Sequence, residues 1–72
     1  MASRDYLKNT VYVLRTQRGI TQEELANQVG VTRQTIISIE KGNYDPSVLL
    51  ALKIARAFKV SLEEAFYITH EK

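Results

Sequence analysis

Seventy-two residues allow one small domain with a thin core, since a chain this short buries only about 60% of the surface it exposes when unfolded. A hydrophobic content of 44% beside 25% charged residues excludes disorder, and the lack of cysteine excludes disulfides and thiolate chemistry while suiting a reducing cytoplasm. Ten Lys and Arg against eight Asp and Glu leave a formal net charge of +2, a slight lean toward anionic partners that only the placement of the charges can sharpen.

No apolar run approaches the roughly 18 residues of a membrane span, and the opening MASRDYLKNT lacks the apolar centre of a signal peptide, so no membrane partner is expected. In chain order, the punctuation predicts five helices, at about 4–18, 22–29, 33–41, 48–58 and 62–68, with a tail over 69–72 and no strand. The expected architecture is a single all-α domain over 1–72. Gly19, Gly30 and Gly42 are the only glycines, and each follows a helical pattern, where a left-handed residue stops the helix.

The starts are marked as clearly. Thr21 to Glu24 (TQEE) and Ser61 to Glu64 (SLEE) are capping boxes, in which a hydroxyl accepts from the third helical amide and the carboxylate reaches back. Thr32 caps the third helix, and Ser47, just after Pro46, caps the fourth. Ile20 with Leu25, and Val31 with Ile36, stand at the spacing of hydrophobic staples. Spacing near 3.6 residues then predicts a core of Val11, Leu14, Leu25, Ala26, Val29, Ile36, Ile39, Val48, Leu52, Ala55, Phe58, Leu62 and Phe66.

The second and third helices are short and joined by a tight glycine turn, the pattern of a helix-turn-helix. Ala26 allows their axes to approach, and Val31 can plug the gap between them. With Ile36 and Ile39 inward, Arg33, Gln34, Thr35 and Ser38 fall on the exposed or flanking side of the third helix. Arginine can fork onto guanine O6 and N7, glutamine onto adenine N6 and N7, and threonine can meet a base edge or a thymine methyl. By themselves these residues also read as a solvated polar face with a capping threonine.

The segment LRTQRGITQEELANQVGVTRQTIISIEKGNYDPSVLLALKIARAF resembles the lambda-repressor-like helix-turn-helix family, which includes phage repressors, Cro proteins and XRE-type regulators. TQEELA, VGVTRQTI, IEKG and PS…LKIARAF occur in the family's order and spacing, and the likeness runs from about Lys8 to Phe66. It implies five helices packed around the inner side of helix three, whose outer side enters the DNA major groove. It implies base or nearby phosphate contacts at Arg33, Gln34, Thr35 and Ser38, and phosphate contacts at Thr21, Gln22, Thr32, Lys41, Asn43 and Tyr44. Gln22 also matches a position that braces the recognition helix, whereas Tyr44 reads equally as a packing residue. Arg15 and Glu40 match a partly buried ion pair between helices one and three; a surface glutamate and a phosphate-seeking arginine are the alternatives.

Three positions depart from the family. Ile37 stands among contact residues where polar side chains are common, Leu49 takes a usually polar position of helix four, and Lys59 replaces a frequent terminal glycine. Leu49, Tyr67 and Ile68 form a candidate surface for a homodimer, which would favour a palindromic operator.

The expected function is that of a sequence-specific double-stranded-DNA-binding transcriptional regulator, a repressor or autoregulator, in the cytoplasm. The alternative is a protein-interaction module, such as an antitoxin-like partner, with little DNA readout. Catalysis is not expected: His70, the single histidine, falls in the predicted tail, and Ser47 and Ser61 are better used as caps. No cluster has metal-ligand spacing, and no cofactor or small-molecule ligand is expected.

Overall fold

The computed structural model describes residues 5–70, so the first residue of the expected opening helix and the last two of the expected tail lie outside the described residues. The elements are β1 (Asp5–Asn9), α1 (Val11–Gln17), α2 (Gln22–Val29), α3 (Arg33–Glu40), α4 (Val48–Phe58), α5 (Leu62–Ala65) and β2 (Phe66–His70). Five helices appear in the expected order.

Their ends follow the side-chain chemistry. Both capping boxes close: Thr21 accepts from the Glu24 amide at 3.0 Å while Glu24 accepts from the Thr21 amide at 2.8 Å, and Ser61 and Glu64 repeat the exchange. Hydrogen bonding from the Thr21 amide, and then from its side chain, holds the Glu24 carboxyl below its ordinary value of 4.5. Thr32 and Ser47 cap α3 and α4. Gly30 stops α2 in the left-handed conformation, φ 78°, and its amide donates to the Ala26 carbonyl. Because nothing lies within 4 Å of where a Cβ would stand, the dihedral rather than crowding requires glycine there. Lys59 ends α4 with φ 58°, ψ 41°, the left-handed geometry that glycine adopts without a Cβ clash.

The two ends of the expected helix set are corrected. Residues 5–9 and 66–70 are strands, paired antiparallel with Asp5 opposite His70, Leu7 opposite Ile68 and Asn9 opposite Phe66. Tyr67 and Ile68 therefore belong to β2 rather than to helix five, and Thr69 and His70 are strand rather than tail. Phe66 is buried on the core side of the pair and Leu7 packs beside it, whereas Ile68 lies beyond the core edge. Paired strands satisfy the backbone groups that a helix reaching to residue 68 would have bonded internally. At the junction, the Thr10 amide donates to Ala65 O at 2.9 Å and the Thr10 hydroxyl to Glu64 O at 2.7 Å, so α1 starts from the sheet's end.

Val11, Leu25, Ile36, Ile39, Ile54 and Phe58 are the largest fully enclosed side chains. They come from four helices, and α3 contributes its inner side to this cluster. Helix α4 is rotated from its expected phase: Leu50, Ala51, Ile54, Ala55 and Phe58 are buried, while Val48 is 72% and Leu52 48% exposed. Leu14 and Leu62 pack at the core margin. Arg15 is the buried polar residue, and no buried side-chain nitrogen or oxygen among the described residues lacks a partner. Among those residues, too, no helix is long and apolar enough to cross a membrane.

Candidate nucleic-acid interface

Helix α3 divides by depth. Ile36 and Ile39 are fully buried, Thr35, Ile37 and Ser38 are half-buried, and Arg33 and Gln34 are exposed. The turn before it is anchored by Val31, which packs against the core and donates its amide to Ala26 O at 3.0 Å. Thr32 then opens the helix: its hydroxyl accepts from the Thr35 amide at 3.3 Å and shares a 3.1 Å hydrogen bond with the Thr35 hydroxyl. The polar row thus begins at a helix N-terminus, where free amides and the positive dipole end favour anions.

From behind, α3 is held by Arg15. Its Nε donates to Glu40 Oε2 at 2.7 Å and its Nη2 to Glu40 Oε1 at 3.2 Å, while Nη1 donates to the Ile20 carbonyl at 3.0 Å. The pair is enclosed, with side-chain exposures of 11% and 7%. The hydrogen bond to Glu40 raises the Arg15 pKa, against the opposing effect of burial, so the charge on Arg15 is secure. A planar fork meeting a carboxylate fixes orientation as well as distance, which places the last turn of α3 relative to α1.

Asn9 supplies a second brace that periodicity did not reveal. Its side-chain nitrogen donates to Ile39 O at 2.9 Å, and its oxygen accepts from the Val11 amide at 3.1 Å. One side-chain amide therefore satisfies the first backbone amide of α1 and ties the end of α3 to β1. The only sign in the sequence is an asparagine just before an apolar run.

Gln22, at the start of α2, receives a hydrogen bond from Arg33 Nε at 3.2 Å and donates to Glu40 Oε1 at 3.1 Å. Thr21, Gln22 and Arg33 line one open depression with Arg15 and Gly19, so the start of α2 and the start of α3 face a common space. Beyond the far end of α3, Lys41, Asn43 and Tyr44 are exposed, and the Asn43 amide is tied back to Ser38 O at 2.9 Å.

The expected dimer residues are not gathered in one place. Tyr67 and Ile68 line an apolar groove of 440 Å³ with Leu7, Val48, Leu62 and Phe66. Leu49 lines a neighbouring groove of 640 Å³ with Leu52, Lys53, Arg56, Lys59 and Leu62. Val48, rather than Leu49, sits beside the two strand residues, and Leu62 borders both grooves. His70 stands at the sheet's end with Nδ1 2.5 Å from Asp5 Oδ1, both side chains largely exposed. Among the described residues, no group of three His, Cys, Asp or Glu side chains is arranged to hold a metal ion.

A short capped helix, a left-handed glycine and a second helix half-sunk in the core, with its first residues outward, define the helix-turn-helix class. A family model described as helix-turn-helix matches residues 11–64. The chain belongs to that family, in its lambda-repressor-like, XRE-type form. It is 52% identical over 65 residues to the uncharacterized HTH-type transcriptional regulator YgzD of Bacillus subtilis, covering 90% of this chain and 98% of that one. It is 37% identical over 51 residues to the cryptic phage CTXphi transcriptional repressor RstR of Vibrio cholerae, covering 71% of this chain and 46% of the repressor. Among solved structures, the restriction-modification controller protein C.AhdI of Aeromonas hydrophila superimposes with a TM-score of 0.71 at 33% identity, over 75% of this chain and 82% of that one. The chain is thus a transcriptional regulator with a DNA-binding helix-turn-helix fold.

Proposed function

We propose that the chain is a sequence-specific repressor or autoregulator that reads the major groove of double-stranded DNA with α3. One observation above all supports this reading: the same helix that buries Ile36 and Ile39 completely leaves Arg33 and Gln34 exposed at its N-terminal end. In this assignment Arg33, Gln34, Thr35 and Ser38 contact base edges. Thr21, Gln22, Thr32, Lys41, Asn43 and Tyr44 hold the phosphates on either side, which sets register without carrying sequence information. The repressor role draws on the likeness to the phage repressor, and the protein acts in the cytoplasm, on the nucleoid.

The active form in this proposal is a homodimer. Exposed Leu49, Tyr67 and Ile68, together with Val48, give the α4–β2 side of the molecule an apolar groove beside a mixed one in which Leu49 and Leu52 adjoin Lys53, Arg56 and Lys59. A twofold pair would set two recognition helices about 34 Å apart and match a palindromic operator. Sedimentation should show a dimer at micromolar concentration that Ile68→Lys converts to monomer; a wild-type monomer at high micromolar concentration removes the dimer.

Selection from a random double-stranded DNA library, repeated with Arg33→Ala and Gln34→Ala, tests the base reading. Each variant should relax preference at one or two base pairs, by about 1–3 kcal/mol per position. Affinity should fall steeply as salt rises, because each neutralised phosphate releases counterions. Unchanged preferences in both variants remove the base contacts, and salt-insensitive or absent binding favours an antitoxin-like protein partner instead.

A further inference from the structure

Helix α3 carries an apolar side chain that the core does not use. At 3.6 residues per turn, the direction midway between buried Ile36 and Ile39 marks the inner side of the helix, and Gln34 falls nearly opposite it. Ile37 and Ser38 stand about 50° to either side of the outward direction, whereas Arg33 stands about 90° from it. Ile37 therefore belongs to the presented face. It is half-buried, yet among the described residues it is not one of the half-buried apolar side chains, such as Leu14, Ile20, Val31 and Leu62, that pack against the core. Helix formation gives no reason for it either, since a β-branched residue is less favourable in a helix than alanine, leucine or glutamine.

What such a residue can meet in a major groove is limited. Every base pair presents donors and acceptors there, and thymine alone adds an apolar group, its C5 methyl. An isoleucine pressed against cytosine N4 or guanine O6 strips water from a polar group and returns no hydrogen bond. Against the methyl, both partners remove apolar surface from water. The side chain is also stiff: branching at Cβ leaves essentially one χ1 rotamer in a helix, so its methyl groups are aimed in advance. Arg33 stands four residues earlier, about 6 Å along the axis, so a hydrogen-bonding reader and an apolar one share the helix.

We propose that Ile37 is a specificity-determining residue: it packs on the C5 methyl of a thymine and so favours thymine over cytosine at one base pair. The inference rests on α3 being the major-groove helix, and it adds an apolar reader to the polar ones. It carries a corollary. Cytosine methylated at C5 presents the same group in the same place, so methylation of a cytosine at that position should strengthen binding.

Competition binding tests it, on the duplex that library selection yields, with each thymine replaced in turn by deoxyuridine, which lacks only the methyl. The wild type should lose about fourfold in affinity at one thymine, the factor for burying one methyl-sized group, and Ile37→Ala should lose nothing there. With cytosine at that position, 5-methylation should restore about the same factor to the wild type and none to the variant. Each comparison is a ratio within one protein, so any change in the folded fraction cancels. If no thymine methyl matters to the wild type, or if the methyl effect survives in Ile37→Ala, the inference is overturned, while the base reading by Arg33 and Gln34 stands or falls on their own variants. Failure to select any preferred sequence overturns both.

Discussion

Removing one partner of the Arg15–Glu40 pair should destabilise the domain more than any other single polar change. In Glu40→Ala, the Arg15 guanidinium loses bonds of 2.7 and 3.2 Å and keeps its link to the Ile20 carbonyl and its place over the Tyr12 ring, 5.4 Å from the centroid. Its charge stays inside, since the side chain is 11% exposed. An uncompensated enclosed charge of this kind costs about 3–5 kcal/mol. A domain of this length has a total stability of roughly 4–11 kcal/mol, at about 0.05–0.15 kcal/mol per residue. The variant should therefore lose at least about a quarter of its stability, with Tm lowered by at least about 12 °C. Arg15→Met/Glu40→Met removes both charges and fills the space, and should melt within about 1 kcal/mol of the parent or above it. Thermal and urea unfolding followed by circular dichroism measures all three proteins. A cost below about 1 kcal/mol for Glu40→Ala, the figure for a solvated surface pair, would refute the reasoning; so would a double variant as unstable as the single one.

Lys59→Gly should raise stability by about 1 kcal/mol, because it relieves a left-handed lysine at the end of α4; an unchanged or lower Tm counts against strain there. Ile54→Ala should cost about 2–5 kcal/mol and Leu52→Ala well under half as much, since Ile54 is fully buried and Leu52 is 48% exposed; equal costs would contradict the phase of α4. Glu24 has a folded value below its ordinary 4.5, so its contribution is complete above that pH and is lost as pH falls through the folded value. Denaturation between neutral pH and pH near 3 should accordingly weaken the parent more than Glu24→Gln, and parallel curves would show that the carboxylate adds nothing.

The helix ends were legible because each is written in adjacent residues. TQEE and SLEE form their reciprocal bonds within four positions, and Gly30 stops α2 by its own dihedral. The strands were not legible for the opposite reason. Asp5 pairs with His70, 65 positions away, and DYLKN carries no alternation strong enough to announce a strand by itself. In α4, VLLALKIARAF is apolar on nearly every side, so periodicity could not choose between the face of Val48 and Leu52 and the face of Leu50, Ala51 and Ile54. At the site, the polarity of α3 followed from two isoleucines. The Arg15–Glu40 pair and a bracing role for Gln22 were legible through the family likeness alone; the particular bonds of Gln22 to Arg33 and Glu40 emerge only on folding, because they join helices across sequence separations that no local pattern spans. Asn9 is a further case: its two bonds bridge α1 and α3, and a lone asparagine gives no hint of the second.

The strand pair also decides how the molecule answers a pull. Asp5 and His70 lie side by side at one end of the ladder, with Asn9 and Phe66 at the other. Tension applied through those two outer residues would load the rungs one after another, like a peeled seam, instead of shearing them all together. The ladder would part at low force up to Thr10, while the isoleucines behind α3 still held the helices in place.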